Sequence, residues 1–340
     1  MTQTHAADAR FEAARNWLKT LPATYGLQVD TLAPASSDAG FRRYFRVAGE
    51  GEKTFIVMDA PTDKMNSEPF VRIDRMMAQA GLNVPEIHEA DLAQGFLLLS
   101  DLGTKTYLDV LNEKNAASLF DAATTELVKW QAASRPGVLP EYSREVLARE
   151  LALFPEWYVA RHRGYGMTDQ QKALLKIVFE KIIANNLAED RVFVHRDFMP
   201  RNLMPGTPQP GVLDFQDALY GPVSYDIASL MRDAFISWGE EFVLDVTIRY
   251  WEKARKAGIP VPRDFGAYWR NIEWMGLQRH LKVLGIFARL NYRDGKPKYL
   301  ADTPRFIHYV RQTANRYDEL KSINWLLDAF EENTTKEAYF

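Results

Sequence analysis

His195, Asp197, Asn202 and Asp214 fall within 20 positions of one another, in the runs VFVHRDFMPRNLMP and GVLDFQDALYGP. Their types and order suit phosphoryl transfer from a metal-bound nucleotide. Asp197 can accept a hydroxyl proton and align that oxygen for attack on phosphorus. Asp214 follows the apolar Val212 and Leu213, so its carboxylate can face a cleft from the end of a strand. Asn202 can add an uncharged oxygen. Two carboxylates and an amide match the hard-oxygen preference of magnesium, with phosphates and water filling its shell. Asp217 is near enough in sequence for a supporting or substrate-binding role. His195 titrates near neutrality and is a rival base. Its place directly after an apolar run favours a ring that packs and holds nearby backbone.

These side chains need a scaffold, and the flanking residues suggest one. Val192, Phe193 and Val194 read as a short buried strand that delivers His195, Arg196 and Asp197 into a loop. Pro200 and Asn202 keep that loop irregular, and Leu203 and Met204 leave it as a second short strand. Residues 204–211 hold three prolines and two glycines, which makes a turn. Gly211, Val212 and Leu213 then enter a further strand. The pattern predicts hairpin-related strands that hold Asp197 and Asp214 at the same end of one small sheet.

The rest of the chain divides in character near residue 100. Before it, a helix over 7–20 leads into a strand ending near Leu32, a polar turn at 36–40 and a hairpin over 41–47 and 54–58. A helix starts at 66–69 and ends at Gly81; 84–87 and 96–99 read as short strands. Beyond residue 103 the apolar period becomes helical, with candidates at about 143–162, 169–187, 240–257, 264–290, 301–319 and 321–331. The expected fold class is α+β, with a strand-rich N-lobe over 1–100 and a larger, mainly helical C-lobe over 101–340.

A formal net charge of -3 gives no push toward nucleic acid or an anionic membrane surface. The chain has no cysteine, so thiolate and disulfide chemistry are excluded and a cytoplasmic setting is expected. No apolar run approaches membrane-spanning length. The six histidines are scattered, and no zinc or calcium spacing occurs. No obligate protein partner is evident; a small-molecule acceptor is expected.

HRDFMPRN followed by LDFQD resembles the protein-kinase-like phosphotransferases of the aminoglycoside-kinase and choline-kinase superfamily. The set SSDAGFRRYFRV, VMDAP, FLLLSDLG, HRDFMPRNLM and LDFQDALYGPVSYDIASL resembles, within it, the anomeric sugar kinases acting on N-acetylmuramate and N-acetylglucosamine. The likeness is strong over roughly residues 30–235. It implies a bilobal kinase-like fold, ATP and Mg2+ as cofactors, and an amino sugar phosphorylated at its anomeric hydroxyl in cell-wall recycling. It also implies that Asp197 is the base, that Asn202 and Asp214 hold the metal, and that His195, Arg196 and Asp226 support the catalytic loop. Asp226 is expected to cap a helix beginning near Ile227 as well. Leu99, Asp101 and Leu102, in the connector 97–102, would meet adenine.

The phosphate-covering turn departs from the wider pattern. Ser36, Ser37 and Gly40 stand where a GxGxxG loop would be, and offer amides and hydroxyls instead. The strand that should present a phosphate-pairing lysine carries Met58. Arg42, Arg43 and Arg46 lie on the preceding segment, and Arg43 is the first choice of replacement. For the acceptor, Trp238, Tyr268, Trp269, Trp274 and His280 offer flat apolar surface. Glu273 and Gln278 could bind hydroxyls, and Arg232, Arg270 or Arg279 a muramate carboxylate. An aminoglycoside or choline kinase, or a pseudokinase that binds nucleotide without turnover, remains the alternative.

Overall fold

The computed structural model describes residues 8–36, 41–208 and 210–337, with only the backbone given for residue 36 and for 332–337. The described chain divides into two compact units, 1–111 with 201–217, and 112–200 with 218–340. The sequence expectation put its boundary at residue 100 and kept 201–217 with the helices. The segment instead clusters with the first unit, because Val212 N–H donates to Asn83 O at 2.8 Å and Asn83 Nδ2 to Pro208 O at 2.8 Å.

In the first unit, helix α1 (Ala9–Leu18) precedes strands β1 (Gln28–Ser36), β2 (Arg43–Ala48) and β3 (Thr54–Asp59). Helix α2 (Glu68–Gln79), strands β4 (Ile87–Asp91) and β5 (Phe96–Ser100) and the single-turn helix α3 (Tyr107–Val110) follow. The sheet is antiparallel throughout, in the order β1-β2-β3-β5-β4. Strand β4 starts where the expected strand 84–87 ends, since Pro85 cannot donate to a ladder. One face of the sheet packs on α1: Trp17 stacks on Phe96 with ring centroids 5.6 Å apart, and Phe45, Val47, Val57 and Leu98 complete the cluster. At the edge of this cluster the fully buried Asp59 carboxylate receives the guanidinium groups of Arg10 and Arg43. Burying a carboxylate is costly unless charged donors of this kind pair with it.

The second unit is mainly helical. It contains α4 (Ala116–Ala132), α5 (Arg144–Leu153), α6 (Asp169–Leu187), strand β6 (Arg191–Val194), and, returning after the 201–217 segment, strand β9 (Leu219–Pro222). Helices α7 (Tyr225–Met231), α8 (Glu240–Lys256), α9 (Phe265–Tyr292), α10 (Thr303–Arg316) and α11 (Ser322–Glu337) complete it. Thr168 and Gln171 form a reciprocal capping box at the start of α6. The helix expected over 143–162 changes winding at Phe154, and 154–162 continue as wider π-helical turns. Pro155 has no N–H to give the preceding turn, which loosens the α ladder there.

The long helix α9 is the hub, packed by α5, α6, α7, α10 and the turns at 154–162. Its Gly285 makes a close approach possible: a Cβ there would lie 2.4 Å from the backbone C and O of Leu153. In the first unit, strands β7 (Leu203–Met204) and β8 (Gly211–Val212) pair with each other, whereas β6 pairs with β9. The single small sheet expected from sequence is therefore two separate two-stranded ones. Strand β9, the partner of β6, had no sequence expectation. Prolines 205, 208 and 210 remove donors and hold β7 and β8 to two residues each.

Candidate active site

Strand β6 is buried from Val192 to Val194 and releases His195, Arg196 and Asp197 into a loop of the second unit. Arg196 adopts φ 78°, a conformation that L side chains rarely take. Asp226 explains it. The fully buried Asp226 carboxylate accepts the consecutive backbone N–H groups of His195 (2.7 Å) and Arg196 (3.0 Å). Aiming two successive N–H groups at one anion needs such a left-handed step. Helix α7 begins at Tyr225, so Asp226 sits inside its first turn with the carboxylate turned to the loop. The helix-capping role expected for it near Ile227 is replaced by this loop contact. His195 Nδ1 accepts the Asp197 N–H at 3.3 Å, and its ring packs edge-on to Phe198.

Beneath the loop lies a charged cluster that sequence reasoning missed. Glu150 on α5 receives Arg196 at 2.6 Å and Lys282 on α9 at 3.0 Å, and Tyr142 donates its hydroxyl to the same carboxylate. Lys282 also donates to Tyr225 Oη at 3.2 Å. The two cations hold the buried Glu150 below the usual glutamate range despite its desolvation. The Glu150 carboxylate in turn holds Lys282 and Arg196 in their charged forms. The available signal was positional: Glu150 shares the buried face of α5 with Leu147 and Leu151, and Lys282 falls in the stretch 272–285 of α9 that is buried all round. Arg279, one turn before Lys282, is buried and stands 4.0 Å from the Asp197 carboxylate.

In the first unit, Asp214 has φ 62°, and Asn202 and Gln216 approach its carboxylate at 3.4 and 2.8 Å. Leu213 N–H donates to Asn202 O at 2.9 Å, so the short β7–β8 pair fixes the two side chains beside each other. A carboxylate flanked by a side-chain amide is an oxygen-rich pair that fits Mg2+, which takes one or two protein carboxylates and leaves other positions to phosphate and water. Amide oxygen and nitrogen exchange by rotation, so Asn202 can present its oxygen to a cation. Asp217, in the same unit, is exposed.

Other expected contacts are engaged elsewhere. Arg43 is held by Asp59 at 2.6 Å and by Asp8, so its guanidinium is not open to a phosphate. The Asp101 carboxylate receives Arg46, Thr54 and the Gly103 N–H, an arrangement that keeps it below the normal aspartate range against its burial. Leu99 is in the interior strand β5, flanked by Ile56 on β3 and Ile87 on β4, which leaves its backbone within the sheet. Leu102 packs on Gly211, where a Cβ would meet it at 2.8 Å. Ser37 and Gly40 lie outside the described residues, and Ser36 ends β1.

Among the acceptor candidates, Gln278 is fully buried and donates to Leu147 O at 3.0 Å, tying α9 to α5. Trp274 is also core, covered by Arg270 at 4.3 Å. Glu273 is claimed by Arg316 and Tyr317. These three are built into the helical core and do not offer themselves to a sugar. Tyr268 and His280 are likewise fully or nearly fully buried.

Burial also sets a pH dependence. Glu189 is buried beside Ser224 and is pushed up to about 8 by desolvation, which outweighs the two hydrogen bonds from Ser224. Asp226 is pushed up to about 7 by the same cause. An acid whose folded pKa is raised binds more protons folded than unfolded, so its contribution is lost as pH rises toward the folded pKa. The burial-depressed His162 and His280 act oppositely, but only below their ordinary pKa of 6.5. The thermal midpoint should therefore fall from about pH 6.5 to about pH 8 and level off above it. Scanning calorimetry of wild type and Glu189→Gln checks this, the variant giving the flatter profile.

A family model described as the phosphotransferase enzyme family (APH) matches residues 31–265. The chain belongs to that family. This phosphotransferase is 50% identical over 317 residues to the N-acetylmuramate/N-acetylglucosamine kinase of Neisseria meningitidis serogroup B, covering 92% of this chain and 93% of the relative. It is 52% identical over 297 residues to the enzyme of the same name from Pseudomonas putida, covering 87% of each. Choline kinase LicA from Streptococcus pneumoniae shares the fold, with a TM-score of 0.63 at 14% identity over 89% of this chain and 99% of that one. Aminoglycoside phosphotransferase APH(2'')-Ib gives 0.59 at 17% identity over 89% and 97%. The kinase-like α+β fold expected from sequence is thus confirmed, and the phosphotransferase is a kinase that draws on ATP.

Proposed function

We propose that this kinase transfers the γ-phosphoryl group of ATP, with Mg2+, to the anomeric hydroxyl of N-acetylmuramate or N-acetylglucosamine. The observation that carries the substrate class is the 50–52% identity, over most of the chain, to kinases named for these two sugars. Their names do not state which hydroxyl reacts; the anomeric position comes from the sequence motifs. Asp197 accepts the proton of the attacking hydroxyl and fixes its direction. His195 and Asp226 support this reading, because between them they bind three successive backbone N–H groups from His195 to Asp197. Asp214 and Asn202 hold the cation. When bound, Mg2+ neutralises phosphate charge as the phosphoryl group moves. With Arg43 engaged, Arg42 becomes the candidate for phosphate contact: among the described residues no carboxylate pairs with it.

Asp214→Ala should abolish the magnesium dependence of nucleotide binding and reduce turnover at least about 100-fold, the loss typical when a charge-stabilising group is removed. Titration of ATP binding with and without Mg2+, followed by phosphate-position analysis of the product by NMR, tests both halves. An unchanged metal dependence refutes the role of Asp214, and phosphate at any other carbon refutes the anomeric assignment.

A further inference from the structure

We propose that Arg232 is the receptor for a carboxylate on the acceptor, and that it sets the preference for an amino sugar carrying a carboxylate-ended ether arm over one without it. The proposal rests on the amino-sugar reading above.

Three arginines of the second unit could meet such a group, and their surroundings separate them. Arg270 is paired with Glu319 at 3.1 Å and lies over Trp274. Arg279 faces Asp197 at 4.0 Å. Arg232 differs from both. It is 8% exposed, directly after α7, and its guanidinium lies over the rings of both Trp269 (5.8 Å) and Tyr309 (5.6 Å). Among the described residues no ion pair or hydrogen bond engages that guanidinium. The nearby carboxylates are taken: Arg316 holds both Glu273 and Glu240, and Tyr317 also donates to Glu273.

Guanidinium stays charged at any physiological pH, and buried charges are ordinarily paired. Burial accordingly pulls Arg232 below the usual arginine value. Aromatic rings on its flanks stabilise a cation while leaving its in-plane N–H fork open, the geometry that accepts a carboxylate bidentately. The position is also apt. Arg232 directly follows α7, whose Asp226 holds the backbone N–H groups of His195 and Arg196 in the loop that carries Asp197, so it belongs to the same neighbourhood. A sugar presenting its anomeric hydroxyl to Asp197 has an acidic arm a few bonds away. N-acetylmuramate carries that carboxylate on its lactyl ether; N-acetylglucosamine does not.

The test is steady-state kinetics of wild type, Arg232→Gln and Arg232→Lys on N-acetylmuramate, its methyl ester and N-acetylglucosamine. In wild type, esterification should lower kcat/KM about 10–100-fold, as expected for losing charge-assisted hydrogen bonds. In Arg232→Gln the ratio of kcat/KM for N-acetylmuramate to that for N-acetylglucosamine should fall by a similar factor, mainly through KM, and the ester effect should disappear. Arg232→Lys should recover only part of the ratio. A ratio unchanged in Arg232→Gln, or an ester as good as the acid in wild type, overturns the proposal; the second comparison needs no variant to fold. Wild type that phosphorylates neither sugar overturns the amino-sugar reading itself.

Discussion

Replacing Asp197 by asparagine should lower kcat by about 10²–10⁴-fold, the range expected for loss of a positioned base, while ATP still binds. Asparagine keeps the shape and can still orient a hydroxyl, but it cannot take the proton. A complication is built into the site. Arg279 has a side-chain exposure of 3% and faces Asp197 at 4.0 Å, so the substitution also removes a carboxylate from beside a buried cation. Part of any loss could then be structural. Asp197→Asn combined with Arg279→Met separates the two effects. The double variant should regain the thermal midpoint that the single variant loses, and should not regain turnover. Calorimetry paired with an ADP-release assay reads both. Full activity in Asp197→Asn would remove the residue from the chemistry.

The second large effect concerns folding. Glu150→Gln should destabilise the protein by about 3–5 kcal/mol, because it leaves buried Lys282 and half-buried Arg196 without their shared counter-charge. That corresponds to a midpoint lower by on the order of 10 °C in a unit of this size. The glutamine preserves volume and can still accept from Tyr142, so the loss isolates charge from packing. Adding Lys282→Met removes one of the two stranded cations and should recover a substantial part of the stability. If Glu150→Gln melts like wild type, the cluster is not the anchor that its geometry indicates. Turnover should fall too, since Arg196 is held by Glu150 while its backbone faces Asp226.

Much of the fold was legible in the sequence because its periodicities are clean. The period over 169–187 predicts a helix with both of its ends, and Thr54 to Met58 a strand that ends one residue later. Failures cluster where pairing is non-local. Four-residue β9 carries no alternation long enough to read, and its pairing with β6 crosses the whole 201–217 excursion. The site was legible as a motif but not as a set of contacts. Arg43 looked like a phosphate arginine because strand parity says which way a side chain points; it says nothing about Asp59 and Asp8 waiting there. Gln278 and Trp274 looked like sugar contacts because polar and aromatic residues serve both sites and cores. Glu150 and Lys282 were passed over because a lone charge on a helix is usually a solvated one.

Gly285 bears on all of this from a distance. It lies one turn beyond Lys282 on α9, as Leu153 lies one turn beyond Glu150 on α5, and the two backbones meet where its side chain would be. The gap between the helices is thus gauged by a missing methyl group. Any larger residue would wedge them apart near the level at which Lys282 reaches Glu150. The electrostatic footing of the loop at 195–197 is set by how close two backbones can come, at a position that carries no side chain.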